Sequence, residues 1–289
     1  MNLLLTLLLP ASVLASLGAF AWARATGGPM ELAILVPSLA ALGLALWLER
    51  RAPYRRDWNQ PRGDTTTDWL SFAVLVGAVQ PLLKWASPLA VLALYRWTGP
   101  PQDFLAGLPF ALQVLVVTLL AELGRYWAHR WHHSVPALWW LHALHHGSER
   151  LHAINNFRVH PLEYALKHLL SLLPLMWLGA PADALLGYIA LSQPVQMLQH
   201  VNLPLRHGWL NHVFSTNALH RWHHSSRRGE GDSNFGSALV IWDQVFGTYR
   251  APQHGAPAQV GLYGPSRYPS REPFFAQVLS MFSPACCKP

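Results

Sequence analysis

Two copies of the five-residue string HRWHH, at 129–133 and 220–224, and the related HALHH at 142–146 concentrate imidazoles in three short runs. On a helix, side chains three and four positions apart share one face. His129 and His133 then form an i,i+4 pair. His142, His145 and His146 form one HxxHH triplet and His220, His223 and His224 a second, each reading as three rings pointed one way. Neutral imidazole is a ligand for iron, zinc, copper and nickel. Eight such rings exceed the coordination of one ion, so the spacing implies a pair of metals. A closed structural zinc site holds four ligands and usually includes cysteine. The chain has two cysteines, Cys286 and Cys287, adjacent near its end, which read as tail thiols and exclude both a disulfide framework and cysteine ligation. Ligands with open positions beside apolar helices suit oxygen chemistry on an apolar substrate.

Such rings need elements to carry them, and the composition says which. Of 289 residues, 52% are hydrophobic and 12% charged, where a soluble domain carries about 25% charged residues. The chain reads as all-α and integral to the membrane. Residues 3–23, 31–48, about 69–95 and 104–123 are each long enough to cross hydrocarbon as a helix. Pro81, Lys84 and Pro88 predict a kink or split in the third. The formal charge of +7 is not gathered on one recognition element, so a membrane surface suits it better than nucleic acid, which is not an expected partner. Arg50, Arg51, Arg55, Arg56 and Arg62 lie between the second and third spans. The positive-inside rule puts them in the cytoplasm, and with them all three histidine runs.

The fourth span continues through the first run. A helix from Phe110 to His133 would rise roughly 36 Å, enough to cross and project beyond the bilayer. Glu122 lies on the His129/His133 stripe, where it could orient a ligating ring or pair with Arg125 or Arg130. Ser134 and Pro136 end that helix and start the next. Residues 161–178 and 181–200, cut by Pro174, Gly179, Pro181 and Pro194, read as a re-entrant or interfacial hairpin. The tail after 250 reads as loosely structured apart from an amphipathic piece near 273–282. The expected organisation is an anchor over 1–103, a metal domain over 104–250 and a tail over 251–289.

The strings ELGRYWAHRWHHSVPALWWLHALHH, FRVHPLE, QHVNLP, LHRWHHS and SNFGSALVIWDQVFGTY together resemble the fatty acid hydroxylase and sterol desaturase superfamily, over about residues 110–250. That resemblance implies a membrane di-iron oxidoreductase, with two iron ions in a histidine-rich cytosolic cap. It would use O2 and electrons from an external reductase to hydroxylate or desaturate a lipid in what composition suggests is a bacterial inner membrane. It implies as ligands His129, His133, His142, His145, His146, His220, His223 and His224, with His200 from QHVNLP and His160 from RVHPLE. An Arg158–Glu163 pair would instead explain RVHPLE without metal. The remaining histidines read as structural or exposed. SNFGSALVIWDQVFGTY reads as a lid, with Trp242 and Phe246 as anchors and Asp243 orienting an imidazole or pairing with an arginine. A membrane metal store or transporter is the alternative, but it would line a path across the bilayer with ligands, and a haem protein would need histidines inside the early spans, which have none.

Overall fold

The computed structural model describes residues 2–101, 105–252, 256–283 and 286–287, and these are helical, with two isolated bridges and no strand among them. Four helical stretches are long and apolar enough to cross a membrane. The first two are α1 (Asn2–Thr26) and α2 (Met30–Arg51), joined through Gly27 at φ +70°. The third runs unbroken over Thr65–Thr98 as α3 (Thr65–Val74), a π-helical turn over Leu75–Val79, and α4 (Gln80–Thr98). The expected break is therefore absorbed as a change of helical register. Pro81 lacks an N–H and crowds the carbonyl four residues back, and that carbonyl belongs to Gly77 within the wider turn, where a π-bulge makes room. The fourth stretch is α5 (Phe110–Ser134).

Helix α5 is the axis of the molecule. Its 25 residues rise about 37 Å, longer than the roughly 30 Å of a hydrocarbon core, and its last turns carry His129 and His133. Val135 is extended and Pro136 opens α6 (Pro136–His146), where proline's fixed φ and missing N–H cost nothing. Helices α7 (Pro161–Trp177) and α8 (Ala182–Met197) then form a re-entrant hairpin against α5, α1 and α2. The hairpin runs along the bundle to its other end. At its turn, Asp183 pairs with Arg24 at the end of α1 at 3.1 Å. Nearby, the Tyr95 hydroxyl of α4 donates to the Met176 carbonyl at 3.1 Å and the Trp177 indole to Thr98. The turn thus sits level with the bundle end opposite the histidines.

Close approach of α5 and α7 depends on Gly124, because a Cβ there would run into the Leu170 carbonyl. Small residues at a buried crossing are the usual means by which membrane helices approach. The main apolar cluster joins Leu5, Leu9, Leu42 and Leu48 of the first two helices to Val195, Leu198 and Ala238. Described residues after α8 form the cap on the histidine side, including the short helices α9 (Asn217–His223), α10 (Arg228–Gly231) and α11 (Ile241–Val245).

The tail is more ordered than its proline and glycine content implies. Tyr263, Tyr268 and Phe274 are buried, and α12 (Phe274–Leu279) docks on α6, where the Trp140 indole donates to Ser280 at 2.9 Å. Cys286 and Cys287 are bonded to each other rather than standing as thiols.

Candidate metal centre

Nine of the ten expected ligand histidines converge, in two adjacent groups. His129, His133, His142, His146 and His223 place ring nitrogens within 4.8 Å of one another, and so do His145, His200, His220 and His224. All nine are buried. The two groups touch, with the His146 and His224 rings stacked at a centroid distance of 4.3 Å.

Neither triplet serves one group. Each divides: His142 and His146 go to the first and His145 to the second, while His220 and His224 go to the second and His223 to the first. At about 100° per residue, positions i and i+4 lie about 40° apart, whereas i+3 and i+4 are separated by about 100°. The i,i+4 pairs therefore share a group and the i+3 ring is turned to the neighbour. His129 and His133 obey the same rule.

The inward-facing atoms are Nε2. In the first group, His142 Nε2 lies 3.0 Å from His129 Nε2 and 3.1 Å from His146 Nε2, which lies 3.2 Å from His223 Nε2. In the second, His220 Nε2 lies 3.0 Å from His200 Nε2 and 3.1 Å from His224 Nε2, itself 3.1 Å from His145 Nε2.

The outward nitrogens decide what these contacts are. Nδ1–H donates to the Phe235 carbonyl from His129 at 2.8 Å, to the Ser233 carbonyl from His223 at 2.8 Å, and to the Arg158 carbonyl from His145 at 3.2 Å. His200 donates to Asn155 Oδ1 at 2.9 Å, His142 to the Glu163 carboxylate at 2.7 Å, and His133 to the Asp232 carboxylate at 3.1 Å. Every one of these partners is an oxygen acceptor, so the proton of each neutral ring sits on Nδ1 and the Nε2 lone pair points inward. Lone pairs 3 Å apart repel unless a cation lies between them. Nitrogens bonded to one ion at about 2.1 Å each would stand about 3.0–3.4 Å apart, and the observed 3.0–3.2 Å falls in that range. His133 Nε2 is also buried without a hydrogen-bond partner. The donor set fits metal in both groups.

Burial keeps the rings neutral. It holds His142, His145, His146, His200, His223 and His224 well below the usual imidazole range, their mutual repulsion adding to the effect, and takes His220 down to about 3. Asp232 is pushed up by burial, but hydrogen bonds from His133 and Tyr263 outweigh this and hold it below the usual carboxylate range.

His160 is not brought to either group. Its ring caps α7, with Nδ1 accepting from Leu162 N at 3.1 Å and Nε2 donating to the Val278 carbonyl at 3.2 Å. Both nitrogens are committed, because proline at the first helical position leaves the next N–H for a cap. The other histidines lie outside as well. His132 donates to the Ala128 carbonyl, His152 to Asp68, and His207 to Asn217, while His168 meets Ser87. His212 is exposed, and His254 lies outside the described residues. Asp64, Asp68 and His152 also cluster, but Arg150 grips Asp64 at 2.7 and 2.8 Å and Arg158 faces Asp68, so this is a charge network.

Several supporting residues differ from expectation. Glu122 touches neither a ligand nor an arginine. It accepts from the Tyr188 hydroxyl and from the N–H groups of Ala238 and Leu239 at 2.7 and 2.8 Å. Asp243 binds no imidazole or arginine. Its carboxylate accepts from Phe235 N, Gly236 N and Thr248. Both acids pin the 233–249 segment so that its backbone carbonyls reach His129 and His223. As expected, Trp242 and Phe246 anchor it, the indole donating to the Leu119 carbonyl and the phenyl stacking on Tyr126. Glu163 pairs with Lys167 at 2.6 Å and orients His142, rather than meeting Arg158. The histidine-orienting roles of Glu163 and Asp232 escaped sequence reasoning because His142 and His133 are distant from them in the chain. A carboxylate in the first helical turn, two residues past a capping His-Pro, was the available signal for the first.

A helical membrane protein with two touching all-histidine sites able to hold metal is a narrow class. The fatty acid hydroxylase family matches residues 114–248. Ornithine lipid hydroxylase OlsE of Rhizobium tropici is 35% identical over 254 residues, covering 85% of this chain and 74% of that protein. The chain belongs to the fatty acid hydroxylase family. It is also 30% identical to the alkylglycerol monooxygenases of Caenorhabditis elegans and Homo sapiens, over 47% and 45% of its own length. It spans 27% and 29% of those two proteins. No solved structure matches it.

Proposed function

We propose that the chain is a membrane lipid hydroxylase holding one iron ion in each histidine group, His129, His133, His142, His146 and His223 in one and His145, His200, His220 and His224 in the other. The observation that carries this is the inward set of Nε2 lone pairs, fixed by Nδ1–H bonds to oxygen on the far side of six rings. Bound iron supplies the activation of O2 for attack on an unactivated C–H bond. The balance is R–H + O2 + two electrons + two protons giving R–OH + H2O, the electrons coming from an external donor.

The chain's own residues do the rest. The oxygen acceptors behind the rings fix tautomer and orientation, a support that matters nearly as much as the ligands. Phe235 packs on His129, His133 and His223 at centroid distances of 5.7, 5.1 and 5.8 Å and keeps water from that face. Between α5 and α7 lies a cleft of about 510 Å3, lined by Leu120, Leu123, Trp127, Trp131, Leu170 and Leu175. It gives a lipid chain a lateral approach from the bilayer, and Trp127 and Trp131 lie beside the turn that carries His129 and His133. The arginine-rich loop packs on the histidine side, where Tyr54 N and Arg55 N donate to Asn202. The positive-inside rule favours a cytoplasmic face for the centre, and the bacterial relative supports a bacterial inner membrane. The ornithine lipid hydroxylase relative makes an acylated aminolipid the first substrate to try.

The test is expression in a host that makes such lipids, with mass spectrometry of lipid extracts and metal analysis of the purified chain. A gain of about 16 mass units in one lipid class, lost in His142→Ala and His220→Ala, is expected together with two irons per chain. Purified protein with no redox-active metal and no oxygenated lipid would overturn the reading.

A further inference from the structure

Beyond the ligands, one aromatic pair touches the five-histidine group and has no part in the reading above. Tyr263 belongs to the tail, outside the residues that match the family. Its ring lies parallel to Trp139, with centroids 4.7 Å apart and planes 3° apart. Trp139 in turn packs on His133 and His146 at 5.2 and 5.3 Å. The Tyr263 hydroxyl lies 3.1 Å from His133 Nδ1 and donates to Asp232 Oδ1 at 2.8 Å. On the outer side, the exposed Arg228 guanidinium stands over the phenol ring at 5.2 Å. Tyr126, by contrast, stacks on Phe246 and touches Phe235.

Tail geometry holds this phenol in place. Ser225 bridges to Val260, and Gly261 N donates to the carbonyl of His224 at 3.0 Å, so the backbone two residues before Tyr263 is fastened to the end of the third histidine run. The phenol is 8% exposed. An oxidisable ring in contact with a ligand, with a carboxylate at hydrogen-bond distance and an exposed guanidinium over its outer face, has the parts of a redox relay.

The geometry points to Tyr263, in contact with Trp139, as a redox-active residue that returns an electron to the metal centre when it is oxidised with no lipid in place. The inference rests on the proposed iron centre. In the step, one electron leaves the Tyr263 ring for the iron that His133 and His146 would hold, which would be reduced by one equivalent. Tyr263 loses that electron and its phenolic proton, which passes to Asp232. A small cytosolic thiol then gives a hydrogen atom to the tyrosyl radical, restoring the phenol and leaving a thiyl radical, while Asp232 releases its proton to water. The net reaction is oxidised centre plus thiol giving reduced centre, thiyl radical and a proton. The relay spares the ligand histidines from oxidation by a centre built to attack C–H bonds.

The experiment uses the full chain, purified in detergent, loaded with ferrous iron and treated with hydrogen peroxide without lipid. Samples are freeze-quenched for electron paramagnetic resonance, with ring-deuterated tyrosine to identify the radical. A tyrosyl signal that narrows on deuteration and is lost in Tyr263→Phe supports the relay. The same tyrosyl signal in an iron-replete Tyr263→Phe protein overturns it. Should Tyr263→Phe fail to take up iron, the parent protein is oxidised with a spin trap and digested for mass spectrometry. An adduct on Tyr263 supports the relay, and adducts elsewhere with none on Tyr263 overturn it. Iron content separates the two levels of failure: a parent without iron removes the centre and the relay with it, and a parent with two irons but no Tyr263 radical removes the relay alone.

Discussion

Glu163→Gln isolates the charge behind one ligand. The wild-type carboxylate is fully buried and receives two bonds, from His142 Nδ1 at 2.7 Å and Lys167 Nζ at 2.6 Å. The amide keeps the shape and an acceptor for His142 but loses the negative charge that sharpens the bond and strengthens the ring as a donor. A hydrogen bond to a charged group contributes about 1.5–3 kcal/mol, and about 1.4 kcal/mol is tenfold in binding. A neutral bond retains about 0.5–1.5 kcal/mol of this, so the expected loss is about 5–10-fold in metal affinity, at or below the lower end of what losing a ligand's orienting partner costs. The assay is anaerobic titration of the full chain in detergent with ferrous iron against a competing chelator, and melting of the metal-free protein as a control for folding. A folded Glu163→Gln protein whose uptake midpoint equals that of the parent would refute the idea that this carboxylate tunes His142.

His160→Ala leaves metal uptake unchanged and lowers stability by about 1 kcal/mol, the worth of a lost helix cap, whereas His200→Ala weakens uptake; metal analysis beside thermal melting separates them. Gly124→Ala drives a methyl into the Leu170 carbonyl and destabilises the α5–α7 crossing by about 1–3 kcal/mol, read as a lower melting temperature. The metal-free protein loses stability in acid. Unfolded His220 takes up its proton near the ordinary value of about 6.5, while folded His220 resists until about 3. Between those values the unfolded chain binds more protons, so stability falls as pH drops below about 6.5, by about 2 kcal/mol at pH 5 from this ring alone. Melting at pH 8 and pH 5 checks this, and an unchanged midpoint would contradict it.

The spacing of histidines is legible because a helix converts it directly into direction. The same periodicity also contains the split of each triplet, since His145 and His223 are the i+3 members. His160 misleads because a ring that caps a helix before proline looks, in sequence, like any histidine beside a carboxylate. What periodicity does not carry is contact between distant segments. Glu122 reaches the amides of Ala238 and Leu239, Asp232 meets His133, and Tyr263 comes back from the tail. Sequence left the depth of the 161–200 hairpin open for a related reason. Helices of 17 and 16 residues fall short of the usual span, yet Arg24 and Thr98 receive their turn at the far end of the bundle.

The crosswise sharing of the two triplets has a thermodynamic consequence. A first ion held by either group would fix ring directions on both α6 and α9, and those two segments also supply ligands to the other group. A second ion would then meet rings already turned toward it, and the two groups would fill together in a titration.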